Sequence, residues 1–208
     1  MSRFLVIFIL FFGIFLWADS KVDSKADSNI AKAKKDSVKT DSKSVDSKQT
    51  SEKWRNLKTL QGDFKQEIKG ERGAIPVLYS GKIYAANNKV RWQYTTPLKK
   101  EVYIEKNAAY IYEPELNQVT ISTLSENVDF ITILNNVKKI KENAYQTQIG
   151  ETIYYLTIKD SKPYMLKYKD NLENDITILF DNIILNNNID ETIFTFTPPD
   201  DVEYIDAN

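Results

Sequence analysis

Glu113 with Glu115 and Asp200 with Asp201 are the carboxylate pairs whose closeness in the chain invites an acid–base reading. A glycosidase needs two carboxylates flanking the scissile bond, one of them kept protonated by its surroundings. Near neighbours in a loop do not straddle a bond in that way, so both pairs are read as surface acids. Composition closes off other chemistry. The 208-residue chain has no histidine and no cysteine, which removes imidazole bases, thiolate nucleophiles, disulfides, and zinc or haem sites built on those ligands. Glycines at 62, 70, 73, 81 and 150 are too scattered to cradle a phosphate. The net charge is −1 and no basic stripe is present, so nucleic acid is not an expected partner. The expectation is no enzyme, no cofactor and no metal.

The apolar residues remain, and their spacing indicates the elements that carry them, whose inside either packs solid or holds a ligand. Beyond residue 51, Trp54, Leu57 and Leu60 recur at helical spacing. From "LQGDFKQEIKGERGAIPVLYSGKIYAANNKVRWQY" onward, runs of period two alternate with Gly, Asn and Pro breaks, the pattern of successive antiparallel strands. Val90, Trp92 and Tyr94 share one face against Arg91 and Gln93. Tyr154, Leu156 and Ile158 alternate with Tyr155 and Thr157; Tyr164, Leu166 and Tyr168 alternate with Met165 and Lys167; Ile176, Ile178 and Phe180 follow the same rule. Each strand therefore has one apolar and one wet side. "YEPELNQ" (112–118) reads as a hairpin loop. In "SENVDFITILNNVKKI", Val128, Ile131, Leu134 and Val137 recur at helical spacing with Ser125 placed to cap, although the run also suits a strand. "FTFTPP" (194–199) reads as a short edge strand, with Phe194 and Phe196 on one side and two donorless prolines ending it. So many strands must curl or close to protect their edges.

The N-terminus carries Arg3, an apolar run over residues 4–17 and Ala18, as a secretory signal does, so residues 1–18 are expected to direct export. In residues 19–51 Asp-Ser recurs at 19, 23, 27, 36, 41 and 46 without an aromatic residue, which is the composition of a disordered Asp/Ser/Lys-rich linker. Residues 52–208 form the single remaining domain.

"FKQ" (64–66), "GKIY" (81–84), "VRWQY" (90–94), "IYEPELNQVTI" (111–121) and "FTFTPP" follow, in order and at similar spacing, the pattern of the outer-membrane lipoprotein carrier family, LolA. Over roughly residues 52–206 the chain resembles that family. The resemblance implies a mainly β (α+β) fold: a strongly curved, unclosed antiparallel sheet, a half-barrel, lidded by short α-helices around an apolar cavity. It implies a periplasmic monomer that shields the acyl chains of lipoproteins between the inner and outer membranes. Acylated lipoproteins, an ATP-driven inner-membrane complex and an outer-membrane acceptor would be its partners. Candidate cavity and lid residues are then Val90, Trp92, Tyr94, Phe130, Ile131, Leu134, Phe194 and Phe196, with Trp92 at the family's tryptophan and Gln118 at a family glutamine. A related curved sheet that senses lipids or lipoproteins, or one that carries another lipid, is the competing expectation. One departure stands out. Where the family has a basic residue and Arg-Pro, this chain has "AANN" (85–88), so the arginine that holds the family's lid has no counterpart there. Lys89 and Arg91 are the nearest cations, and Arg91, beside Trp92, is read as outward and solvated.

Because the linker lacks apolar content, deleting residues 21–48 is expected to shift the thermal midpoint by no more than about 2 °C and to leave lipid binding intact. Differential scanning calorimetry of the two proteins checks this, and a larger drop would mean that the segment packs on the domain.

Overall fold

The computed structural model describes residues 56–70, 74–124 and 130–207, so the export signal, the linker, Trp54, Ser125 and Val128 lie outside the described residues. Twelve strands form one sheet: β1 (Thr59–Lys69), β2 (Val77–Ala86), β3 (Lys89–Thr96), β4 (Lys100–Glu105), β5 (Ala108–Glu113), β6 (Gln118–Thr123), β7 (Lys138–Lys141), β8 (Ala144–Ile149), β9 (Thr152–Lys159), β10 (Lys162–Lys169), β11 (Asp175–Leu185) and β12 (Glu203–Asp206). Their order across the sheet is β12-β6-β5-β4-β3-β2-β1-β11-β10-β9-β8-β7. All ladders are antiparallel except the last, where β12 runs parallel to β6. The alternation asked for a sheet that curls or closes, and the large, curved, unclosed antiparallel sheet that the resemblance implies is the one present.

Two meanders make up this order. Strands β1 to β6 follow one another on one side, β7 to β11 on the other, and β1 joins them through its long ladder to β11, from Leu60↔Leu185 to Lys69↔Asp175. Cross-strand register puts Phe64, Phe180, Gly81 and Tyr94 in one row, and Ile83, Trp92, Val102 and Ile111 in another. Residues directly opposite one another share a face, so these rows lie on one side of the sheet. Together with Leu60, Val90, Tyr154, Leu156, Leu166, Ile176 and Ile178 they form a single apolar cluster fed by both meanders. We call this side the inner face.

One α-helix, α1 (Phe130–Asn135), is present among the described residues. Six residues are too few for a helix to persist alone in water. It forms because Phe130, Ile131, Ile133 and Leu134 bury on the inner face, each such side chain contributing about 1.5–3 kcal/mol before ordering costs. The helix is shorter than the spacing suggested: Val137 is buried beyond its end. Leu60 belongs to β1, not to a helix with Leu57, because it pairs with both Ala85 and Leu185.

Two local readings fail at irregularities. Tyr164 does not share a face with Leu166 and Tyr168; it is exposed, because the β9–β10 ladder shifts register between Pro163 and Met165. Such a bulge inserts a residue and reverses the alternation beyond it. "FTFTPP" is no strand. A 3-10 turn spans Glu191–Phe194, with the Asp190 carboxylate accepting from the Thr192 N–H, and the chain then crosses the outer face unpaired to reach β12. Alternation alone does not make a strand when no neighbour supplies a ladder.

Gly81 occupies a second bulge, where β2 shifts against β3 between Ser80 and Gly81. A Cβ there would lie 1.9 Å from the Gln93 carbonyl oxygen, which is backbone and cannot turn aside. Lacking a side chain, Gly81 also lets Phe64 and Tyr94 meet across it at 5.0 Å, edge to face. Gly81→Ala is therefore expected to destabilise the domain by about 3 kcal/mol, seen as a lowered urea midpoint with unchanged slope. An unchanged midpoint would show that β3 can move away at no cost.

Candidate functional site

Strand β3 supplies the centre of the inner face. Val90, Trp92 and Tyr94 alternate inward and are each almost fully buried, as the period-two reading expects. Phe64 of β1 stands edge-on to both Trp92 and Tyr94, with ring centroids 5.0 Å apart in each pair. Phe130 of α1 reaches down between the two meanders, 6.4 Å from Trp92 on β3 and 4.9 Å from Phe180 on β11. Ile131 and Leu134 of the helix are buried in the same cluster. Six of the eight candidates thus come together around one aromatic column, Phe64–Trp92–Phe130–Phe180. Edge-to-face aromatic pairs of this kind add a modest directional term to burial. A surface of rings and branched aliphatics suits hydrocarbon.

Phe194 and Phe196 are elsewhere. Phe194 packs with Ala86 and Ile189 on the outer face, beside Tyr84 and Ile193. Phe196 lies against Tyr103, Tyr110 and Tyr112, at centroid distances of 5.2, 6.1 and 5.6 Å. Those tyrosines alternate with the inward residues Val102, Ile104 and Ile111, so Phe196 is separated from Trp92 by the thickness of the sheet. Both phenylalanines pin the C-terminal segment to the outside.

Arg91 serves the same end. It points outward as expected but is not solvated: it pairs with Glu101 at 2.9 Å, donates to the Ile193 carbonyl at 3.3 Å, and stacks 5.1 Å above the Tyr103 ring. The Tyr103 hydroxyl also donates to Glu101. Burial, together with this carboxylate, raises the tyrosine's pKa despite the opposing Arg91 charge. Lys89 bridges Glu105 and Glu191, each at 3.5 Å, and Asn87 donates to Glu191. Asn87 and Asn88 have φ of 47° and 64°, the left-handed pair that a two-residue hairpin turn requires and asparagine tolerates. The "AANN" departure is thus a tight turn, and its neighbouring cations hold the C-terminal segment and not α1.

A polar group on the inner face escaped the sequence reading. Gln66 follows Phe64 on the inward side of β1 and is 2% exposed, with neither Nε2 nor Oε1 hydrogen-bonded. The buried Tyr94 hydroxyl is also without a partner, and burial raises its pKa far above the usual phenol range. Lys100, 4% exposed, lies 4.6 Å over the Tyr94 ring and 5.3 Å over that of Tyr79. Burial lowers the Lys100 pKa against the raising effect of Glu113, whose own pKa burial raises. The signal was available: "DFKQEIK" puts Gln66 in phase with Phe64 and Ile68. Lys100 opens β4 opposite Tyr94, and only that pairing places it inward.

Among known sequences, the family model described as outer membrane lipoprotein carrier protein LolA matches residues 55–163. A Helicobacter pylori protein named outer-membrane lipoprotein carrier protein is 40% identical over 147 residues, covering 70% of this chain and 78% of its own. The Helicobacter hepaticus protein of the same name is 37% identical over 155 residues, covering 74% and 86%. A solved LolA superfamily protein from Nitrosomonas europaea is similar with a TM-score of 0.42 at 12% identity, over 74% of this chain and 99% of that one. With the family's model matching more than half of its length, and relatives of that name at this identity, the chain belongs to the outer membrane lipoprotein carrier family, LolA.

Proposed function

We propose that this protein is a periplasmic carrier that shields the acyl chains of lipoproteins as they pass from the inner to the outer membrane. Family membership is the observation that carries the reading. The inner face supports it, being apolar across both meanders and covered by a helix of only six residues. Its side chains pack against α1, so lipid entry requires the helix to swing away as a lid and open a hollow beneath Phe130, Ile131 and Leu134. Val90, Trp92 and Tyr94 form the floor of that hollow. Residues 1–18 direct export and residues 19–51 serve as a spacer ahead of the domain.

Energetics dictate the partners. Each buried CH₂ is worth about 0.8 kcal/mol, so one long acyl chain is held in a membrane by on the order of 10 kcal/mol. A carrier cannot supply that work alone. An ATP-driven inner-membrane complex therefore delivers the cargo, and an outer-membrane acceptor with higher affinity removes it. The carrier works as a monomer, its own affinity kept modest by the cost of displacing α1.

Trp92→Ala is expected to cost about 3–5 kcal/mol whether the ring serves core or lipid, so stability does not separate the roles. Trp92→Phe keeps most of the volume. It should fold and change the affinity for a fluorescent fatty acid measured by titration; unaltered affinity would leave Trp92 a core residue only. Ile131→Glu puts a carboxylate where lipid would have to desolvate it, a penalty of several kcal/mol. The sheet should persist by circular dichroism while release of a lipoprotein from inner-membrane vesicles, supplied with ATP and the releasing complex, falls at least about tenfold. Release equal to that of the wild type would exclude the lid role of α1, and no release by the wild type would sink the carrier reading.

A further inference from the structure

We infer that Gln66, Tyr94 and Lys100 bind the carbonyl oxygens of a fatty-acyl group, holding the polar end of a lipid at one rim of the inner face while its hydrocarbon runs toward Trp92 and Phe130. The inference rests on the carrier reading and adds an orientation and a linkage chemistry to it. Its starting point is an anomaly. A buried donor or acceptor left unpaired costs more than a made hydrogen bond gains, and native proteins keep such groups for a reason. Gln66 leaves both ends of its amide unpaired, and Tyr94 its hydroxyl. The neighbours make the cost conspicuous. In register Gln66 stands between Tyr79 on β2 and Ile178 on β11, in a row that hydrocarbon alone would fill better.

These groups are contiguous. Tyr79, directly opposite Gln66, meets Tyr94 edge-on at 5.6 Å, and the Lys100 ammonium lies over both rings. All of them sit at the same ends of their strands: late in β1 and β3, early in β2 and β4. Beyond that rim toward the other end, the inner face is apolar through Trp92, Ile83, Val90 and Leu60. The donors are an amide NH₂, a hydroxyl and an ammonium, and the Gln66 carbonyl is one acceptor. Ester carbonyls accept from the three donors, and an N-acyl amide can in addition give its N–H to the Gln66 oxygen. The Lys100 ammonium faces the two tyrosine rings without a carboxylate in ion-pair contact among the described residues, and burial lowers its pKa against the raising effect of Glu113. The acyl carbonyl can come from the lipid of a lipoprotein or from a free fatty acid, and the two sources are separable.

The test is a calorimetric titration of full-length wild type, Gln66→Leu and Lys100→Met. The ligands are a soluble peptide with a dipalmitoylglyceryl cysteine, its dihexadecyl ether counterpart, palmitate, and hexadecanol. Wild type should prefer the ester to the ether peptide by about tenfold, and both variants should lose that preference by falling to the affinity for the ether. Gln66→Leu should melt no lower than wild type, since it removes two unpaired groups, so weaker binding cannot be ascribed to unfolding. Preference for palmitate over hexadecanol, lost in the same variants, would support the site with a free fatty acid as its source. Equal binding of ester and ether, and of acid and alcohol, by the wild type overturns this site alone, as does a preference that survives in both variants. Failure of the wild type to bind either peptide overturns the carrier reading, and it overturns the site as well only if palmitate and hexadecanol also bind equally.

Discussion

Strands β6 and β7 are consecutive in the chain but ten places apart across the sheet, and the connection between them must cross the inner face. Laid flat, ten strand spacings would measure about 48 Å. From Thr123 to Lys138 the chain reaches at most about 43 Å, even with everything outside α1 fully stretched, because the six helical residues rise only about 9 Å. A flat sheet is thus incompatible with this connection. Curvature is required by the covalent chain, and the same crossing supplies the helix that covers the apolar side. Sheet twist, inner core and covering helix are one solution to one constraint.

The complementary path lies outside. After β11 the chain is at the middle of the sheet, and it must travel past β1 to β6 before β12 can pair with the far side of β6. Arg91, Tyr103 and Glu101 fasten it at Ile193, and three tyrosines receive Phe196. Half-buried, hydrogen-bonded and short, the Arg91–Glu101 pair is of the kind that is worth more than a loose surface pair. The molecule is consequently clasped on both faces, by an apolar contact inside and a polar and aromatic one outside.

Where ladders are regular, the sequence was a reliable guide. Val90, Trp92 and Tyr94, or Ile176, Ile178 and Phe180, lie inward because no bulge interrupts the alternation between them. Tyr164 was misplaced because a bulge at Pro163 depends on how β10 meets β9, which neither strand declares alone. Phe194 and Phe196 were misread for a related reason: a strand is a property of two segments, and the β6 edge that could have paired is taken by residues 203–206. The aromatic column was legible in part, since Phe64 and Trp92 lie in motifs that carried the resemblance and Phe130 was a lid candidate that it implied, while the contact of Phe64 with Tyr94 across Gly81 is visible only in the structure. Gln66 and Lys100 were overlooked because polar residues on strands are usually outward, and their meaning rests on which neighbours bury them.

The start of β1 has its own fastening. The Lys58 N–H donates to the Asn186 side chain at 2.9 Å, the Thr59 hydroxyl to the Asn187 carbonyl at 2.6 Å, and the Asn186 N–H to the Thr59 carbonyl at 2.9 Å. The domain is therefore entered where β11 ends, about 24 Å along β1 from Gln66. Anything tethered through the upstream segment hangs from one pole of the half-barrel, and the rim where we place the lipid's carbonyls is the opposite pole. Tension on the start of β1 would pull that strand lengthwise between its two neighbours, β2 and β11, so that many ladder bonds share the load at once.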